Sequence, residues 1–373
     1  MNVLITGAKG FIGKNLVVAL RQRQELILWE FDIEETVEQL HDALARTDII
    51  FHLAGVNRPQ TDAEFTRVNV GLTRNICSVL ETSGRNPKIV LTSSIQAERD
   101  NPYGISKREA EEVLKEYCLR TGAEGVSYRL KNLFGKWCRP NYNSVVATFC
   151  HNIARGLPIQ ISDPAVSLEL TYIDDVVEAF LDELNAPPRP SFRFAESLPS
   201  HTVTLGDLAS SIQAFHDHRE SLVLPDFTDP FVRALHATYL SYLEDDAFGY
   251  ELQPRSDDRG SLAEFLKASH LGQIFISRTR PGITRGDHYH HTKIEKFVVV
   301  EGEGVIRLRR LGSDDIVSYP VRGEEYRVVD IPPGYTHSIE NTGNTDLVTL
   351  FWASEPFDPE RPDTWYEPVL GKA

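Results

Sequence analysis

Through its first half the chain alternates short apolar runs with amphipathic stretches. "NVLIT" (2–6), "LILWEF" (26–31), "DIIFHLAG" (48–55), "KIVLTSS" (88–94) and "GVSYRLKNLF" (125–134) are apolar over most of their length and read as buried parallel strands. Between them, "GKNLVVALRQR" (13–23), "TRNICSVLETSG" (73–84) and "SKREAEEVLKEYCLRTG" (106–122) carry apolar residues at helical spacing. That alternation predicts a parallel sheet covered by helices on both faces, a doubly wound α/β domain.

The Pro-rich stretch "NAPPRPSFRF" (185–194) reads as a crossing loop, and "TLGDLASSIQAFHDH" (204–218) as a further helix. From about residue 255 the texture changes. "GQIFISRT", "EKFVVVEGEGVIRLRRL", "EYRVVDIPPG" and "DLVTLFWAS" are short strands broken by Gly, Pro and Asn, the pattern of an all-β sandwich or barrel. A length of 373 residues agrees with two domains, which we place at 1–246 and 247–373. The sequence shows no internal repeat and no low-complexity tract.

Charge narrows the partners. A net charge of −15 argues against nucleic acid and against an anionic membrane surface, and leaves room for a local basic pocket. The four cysteines lie far apart with no CxxC pair, so they read as reduced thiols. No stretch approaches the ~20 apolar residues that cross a bilayer. The first residues are already strand and turn rather than a signal peptide, so the chain reads as cytoplasmic.

Candidate chemistry begins at "TGAKGFIG", which sets Gly7, Gly10 and Gly13 between a strand and a helix. Small residues there let backbone N–H groups approach a pyrophosphate at a helix N-terminus. An ordinary tight turn would also use glycine. Further along stand "HLAG" (52–55), Asn69 in "VNVG", Ser94 in "LTSSIQA" and the pair Tyr103-x-x-x-Lys107 in "YGISK". Four residues apart, Tyr103 and Lys107 share a helix face. An ammonium there should favour phenolate and lower the tyrosine pKa, fitting Tyr103 to give a proton to a carbonyl oxygen. Together with "RLKNLFG" and "YIDDV", these stretches resemble the extended branch of the short-chain dehydrogenase/reductase family. The resemblance implies a Rossmann-type fold, a nicotinamide cofactor and Ser94, Tyr103 and Lys107 as catalytic residues, with Asn69 structural. Cofactor choice is contested. Asp32, 19 positions after Gly13, suits the ribose 2′-OH of NAD. Lys9, beside Gly10, resembles a 2′-phosphate contact and favours NADP.

The second half concentrates histidines. His288-x-His290 and Glu295 follow Gly282, and His337 follows in "PPGYTHSIEN". This spacing resembles the two motifs of the cupin family, a jelly-roll barrel, with Tyr326 standing where the second motif expects glycine. His288 and His290 share a face by the period of two. Three imidazoles and a carboxylate suit a divalent metal, Zn²⁺ foremost, with Ni²⁺, Mn²⁺ or Fe²⁺ as alternatives. Buried or surface histidines without an ion are the plainer reading. His291 points to the other face. "DDRGSLAEFLK" and "RGDHYH" also resemble the 3,5-epimerases of deoxy-4-ketosugar nucleotides, where the His is a metal-free base, which leaves His288 as ligand, base or both. Arg259 and Arg285 are diphosphate contacts or surface ion pairs.

An extended reductase fused to an epimerase-like cupin resembles the family of bifunctional capsular polysaccharide assembling proteins. The resemblance implies a UDP-sugar substrate, epimerised at C3 in the cupin and then reduced at C4 with NADPH. The product would be UDP-2-acetamido-2,6-dideoxy-L-talose, on the way to UDP-N-acetyl-L-fucosamine. It also implies a homodimer. The alternative is a reductase whose cupin is a structural or dimerising metal-binding module.

Overall fold

The computed structural model describes residues 1–189 and 191–371. They form two compact units, Met1–Gln213 with Arg233–Leu243, and Ala214–Val232 with Glu244–Ala373. The chain therefore enters each unit twice.

The first unit is built on strands β1 (Asn2–Thr6), β2 (Ile27–Phe31), β3 (Ile49–His52), β4 (Lys88–Ser94), β5 (Glu124–Leu130), β6 (Asn132–Phe134), β7 (Ser167–Tyr172), β8 (Ser191–Phe194) and β9 (His201–Thr204). Six of them make one parallel sheet in the order β2-β1-β3-β4-β5-β8, and β6-β7-β9 form a small second sheet. Two separate apolar clusters line its faces. Val3, Ile5, Phe51 and Val90 pack on one side with Phe180, while Leu4, Ile50, Ile89 and Leu91 pack on the other with Leu114 and Tyr117. Adjacent residues of β1 thus serve opposite cores, which is why the strand is apolar throughout.

Two expectations need correcting. The run 125–134 is not one strand: β5 stays in the main sheet and β6 pairs with β7, so the chain changes sheets at Lys131. The stretch read as a crossing loop ends in β8, which adds to the edge of the main sheet beside β5. Pro190, at the centre of that loop, lies outside the described residues.

In the second unit the strands are β10 (Arg255–Asp257), β11 (Gly260–Ala268), β12 (Gly272–Thr279), β13 (Thr284–Tyr289), β14 (Glu295–Glu301), β15 (Glu303–Arg310), β16 (Ile316–Arg322), β17 (Val328–Ile331), β18 (Tyr335–Asn341), β19 (Leu347–Ala353) and β20 (Trp365–Tyr366). They form two antiparallel sheets, β10-β11-β12-β19-β14-β17 and β16-β15-β18-β13-β20, as expected of a cupin jelly roll. Phe297, Val299, Ile306, Ile339 and Phe351 fill the space between the sheets.

Candidate functional site

In the first unit, local folding delivers each candidate to one cleft. Gly13 sits so close to the preceding turn that a Cβ would lie 2.1 Å from the Gly7 carbonyl oxygen, so the turn closes only on glycine. Ser94 ends β4 and its hydroxyl accepts from the Gln96 N–H at 3.2 Å, capping the short helix Ile95–Glu98. The helix Pro102–Thr121 starts at Asn101, whose side chain accepts from the Gly104 N–H at 2.8 Å, with Pro102 in its first turn. A Cβ on Gly104 would stand 2.1 Å from the Gln96 carbonyl oxygen. This glycine lets the helix pack directly on the Ser94 turn and brings Tyr103 within hydrogen-bonding reach of Ser94.

Gly7, Lys9, Gly10, Gly13, Ser94, Tyr103 and Lys107 all line a cleft of about 790 Å³. Asn69 lies behind it, 2% exposed, in a π-helical turn, Thr66–Val70. Its amide holds Val56 through both backbone groups and donates to the Ser106 hydroxyl at 3.0 Å. Asp32 accepts from the Lys9 backbone N–H at 2.7 Å, and the Lys9 ammonium pairs with Glu34. Acids therefore surround Lys9, and a 2′-phosphate would have to displace Glu34.

The electrostatics differ from expectation at Tyr103. Burial raises its pKa, and only the Ser94 hydrogen bond opposes the shift. Lys107 reaches to 5.9 Å from the ring centroid and donates to the Thr92 carbonyl at 3.0 Å. Its own pKa falls to about 8, chiefly from burial. Desolvation outweighs the Ser94 hydrogen bond, so Tyr103 rests as a protonated phenol.

Sequence reasoning missed a feature of the same cleft. Tyr142 lines it, and the guanidinium carbons of Arg58 and Arg139 stand 5.6 Å and 5.1 Å from the Tyr142 ring centroid. The loop presenting Arg139 and Tyr142 carries two non-glycine residues with left-handed backbone, Trp137 (φ 69°) and Asn141 (φ 55°). The Tyr242 hydroxyl fixes that loop by donating to the Cys138 carbonyl at 2.5 Å. Two cations on one ring make an anion-receptive corner. Only the fold brings Arg58 to the Tyr142 ring, and no local pattern marked it.

In the second unit the donor atoms of His288, His290, Glu295 and His337 lie within 4.8 Å of one another. His288 stands opposite His337 in the β13–β18 pairing, and Glu295 enters from the other sheet at the head of β14. His290 Nε2 and His337 Nε2 approach Glu295 Oε2 to 3.3 Å and 3.1 Å. A tetrahedral ion with bonds of about 2.0–2.1 Å needs ligand atoms roughly 3.3–3.5 Å apart. His290 Nε2 is buried and lacks any hydrogen-bond partner, as a ligand nitrogen should. Burial and the neighbouring His337 lower the His288 pKa to about 4, leaving a neutral ring. Burial alone would raise Glu295, but the His290 and His337 rings beside its carboxylate hold it well below the usual range. A neutral imidazole, as at His288, and an ionised carboxylate, as at Glu295, are the forms that bind a divalent cation. The donor set fits the ion. His291 lies outside, exposed, with its ring 5.8 Å from Trp365.

A β-bulge changes the face of one more residue. Between Gly286 (φ 103°) and His288 the register shifts by one, with Asp287 (φ 58°) as the extra residue. Arg285 pairs with Ile339 and His288 with His337, so Arg285 shares the histidines' face where strict alternation would oppose it. Its Nε is buried without a hydrogen-bond partner, and its Nη2 lies 3.7 Å from Asp257. Arg259 is an exposed partner of the same carboxylate at 2.6 Å.

Comparison with known proteins places this architecture. Residues 3–190 match the NAD dependent epimerase/dehydratase family, and residues 255–365 match the polysaccharide biosynthesis C-terminal domain. The chain belongs to the NAD dependent epimerase/dehydratase family. It is 42% identical over 365 residues to UDP-2-acetamido-2,6-beta-L-arabino-hexul-4-ose reductase of Pseudomonas aeruginosa, covering 98% of each chain. The crystal structure of capsular polysaccharide assembling protein CapF from Staphylococcus aureus superposes with a TM-score of 0.92 at 46% identity, covering 99% of this chain and 100% of that one. UDP-glucuronic acid 4-epimerase from Bacillus cereus, at 17% identity and a TM-score of 0.55 over 65% of this chain and 98% of that one, shares the epimerase/dehydratase fold alone. As a family member the chain is a nicotinamide-dependent enzyme. No described helix is long and apolar enough to cross a membrane.

Proposed function

We propose that the chain converts a UDP-4-keto-2-acetamido-2,6-dideoxyhexose in two steps, C3 epimerisation in residues 247–373 and C4 reduction in residues 1–246. The product is UDP-2-acetamido-2,6-dideoxy-L-talose, bound for UDP-N-acetyl-L-fucosamine and capsule or O-antigen, and the working form is a homodimer. The observation that carries the reading is the meeting of Ser94, Tyr103 and Lys107 in the cleft that holds the glycine turn. A full-length relative named as a 4-ketosugar-nucleotide reductase gives the substrate class.

A bound nicotinamide supplies hydride to C4. Tyr103, held protonated by burial, gives its proton to the ketone oxygen as negative charge develops there. Ser94 hydrogen-bonds the same oxygen and orients it. Lys107 keeps positive charge beneath the phenol as the proton leaves. Arg139, which lines the cleft, and Arg58, on the same Tyr142 ring, receive the diphosphate. Arg285 offers a second diphosphate contact in the other unit. Lys9 reads the 2′-phosphate of NADPH, so Lys9→Ala should weaken NADPH about 10- to 100-fold and spare NADH. Equal loss for both nucleotides would assign the ribose to Asp32 and the cofactor to NAD.

In the second unit, a divalent ion held by His288, His290, Glu295 and His337 would stabilise charge on the 4-ketone oxygen as the C3 hydrogen exchanges. A second reading has a specific observation behind it. Four protein donors are gathered there, enough in number to fill a tetrahedral shell without solvent, the ligand count of a structural rather than a catalytic site. The chain would then be a reductase with a metal-braced cupin. One experiment tests both: NMR of the UDP-4-keto-6-deoxy-HexNAc substrate with the full chain in D₂O, first without and then with NADPH. Deuterium at C3 before NADPH, followed by the talo product, is expected. Reduction without prior exchange supports the braced cupin, and absence of reduction sinks the proposal.

A further inference from the structure

We infer that Asp363 is the positioning residue of the four-donor centre, gripping His290 and its loop from a C-terminal strap; the inference rests on the metal reading above. The strap is residues 363–369, which include β20. The main-chain oxygen of Asp363 accepts a hydrogen bond from His290 Nδ1. That bond puts the ring proton on Nδ1 and leaves the lone pair of the buried Nε2 toward Glu295. The carboxylate of the same residue accepts from three successive backbone N–H groups, His291 at 2.9 Å, Thr292 at 2.8 Å and Lys293 at 3.0 Å. It also accepts from the Thr292 hydroxyl at 3.0 Å. A single residue thus fixes both the ring of one donor and the short loop joining that donor to Glu295.

Asp363 can grip because the chain after it is anchored. Trp365 and Tyr366 pair with Tyr289 and His288, adding β20 behind a second donor. The Glu367 N–H donates to the Asp287 carbonyl at 2.9 Å, and the Val369 N–H to the Asp287 carboxylate at 3.0 Å. The Thr336 hydroxyl, next to His337, donates to the Glu367 carbonyl. Arg309 holds the carbonyls of Pro368 and Val369 at 2.7 Å and 3.0 Å, and Val369 is fully buried. The strap therefore bonds to backbone or side chains beside the donors on β13 and β18 and in the 290–295 loop, and through the Asp363 main-chain oxygen it reaches the ring of a donor itself.

A residue that merely stapled a surface loop would affect stability and leave the ion alone. The test uses the full chain loaded with Zn²⁺ or Co²⁺ and reads Zn²⁺ affinity by chelator competition and the visible spectrum of bound Co²⁺. Asp363→Ala keeps the main-chain oxygen but removes the carboxylate that holds residues 291–293 and seats that oxygen on His290. Zn²⁺ affinity should therefore fall about 10-fold, the low end of what disturbing an outer partner of a metal-binding histidine costs. It should also shift the Co²⁺ bands. Asp363→Asn keeps the shape and one acceptor oxygen and should fall between the two. Glu367→Ala, which removes only a side-chain bond to Arg309, should match wild type. NADPH binding in the first unit should be unchanged throughout. If Asp363→Ala does not fold, Asp363→Asn alone decides. Unaltered affinity and an unaltered Co²⁺ spectrum in a folded variant, whatever its melting temperature, would overturn the inference. A wild-type chain that holds neither ion sinks the metal reading first and this inference with it.

Discussion

Burial holds the Tyr103 phenol above its ordinary range, so at neutral pH it carries the proton that reduction of a ketone consumes. Tyr103→Phe removes the donor and little volume. NADPH oxidation should fall about 100- to 10,000-fold with nucleotide affinity intact, checked by stopped-flow absorbance and by titration. Unchanged turnover would relieve Tyr103 of its role. Its neighbour Lys107 is 8% exposed and has a folded pKa of about 8 against 10.5 when free. Below about pH 8 both folded and unfolded chains hold the proton, and the fold bears the whole penalty of a buried ammonium. Between about 8 and 10.5 only the unfolded chain binds it, so this penalty shrinks as pH rises and vanishes above 10.5. Lys107→Met should therefore stabilise the first unit by about 1–2 kcal/mol at pH 7, after loss of the bond to Thr92, and by nearly nothing above pH 10. Turnover should be lost. Denaturant unfolding at the two pH values measures it, and a variant less stable at pH 7 would mean that the Thr92 bond outweighs burial.

Elements were legible where one physical signal fixed them. Continuous apolar runs marked β1, β3 and β4 because each is buried on both faces, and the helix Pro102–Thr121 was legible from its periodicity. The signal failed where tertiary pairing decides. No glycine or proline separates β5 from β6, only Lys131, and β8 follows a Pro-rich run that hides a strand. Among the donors, His288 and His290 could be placed on one face from their spacing. Arg285 could not, because the bulge depends on left-handed backbone at Asp287, which alternation does not encode. Arg58 and Tyr142 meet only in the folded chain. A second departure is informative. Tyr326, standing where the cupin pattern expects glycine, keeps glycine's left-handed backbone at φ 46° and ψ 38°. A non-glycine residue there costs about 1–2 kcal/mol, and glycine's greater freedom in the unfolded chain returns about half of that. The ring is 69% exposed and packs little. Tyr326→Gly should stabilise the second unit by roughly 0.5–1 kcal/mol, seen as a rise in its unfolding midpoint. A lower midpoint would reveal packing by the ring that its exposure hides.

Across the whole molecule, each unit has its own apolar core, so damage to one should spare the other. His290→Gln, which supplies the residue of the metal-free epimerases, should empty the donor set of Zn²⁺ and leave NADPH binding unaltered. Metal analysis beside nucleotide titration checks both halves, and retention of the ion would mean that three donors suffice. Substitution can separate the two halves in this way; a pair of scissors cannot. The backbone visits the units in the order first, second, first, second. Cutting after residue 213 takes Leu235 and Tyr239, both fully buried, from the first unit. A cut after residue 243 instead takes Leu222 and Leu224, which exchange main-chain hydrogen bonds with Lys267, from the second. No single truncation yields one complete half, and no end-to-end joining of two finished genes would produce this thread. The two units are spliced rather than strung together, so each can be altered by substitution but neither can be lifted out by a single cut.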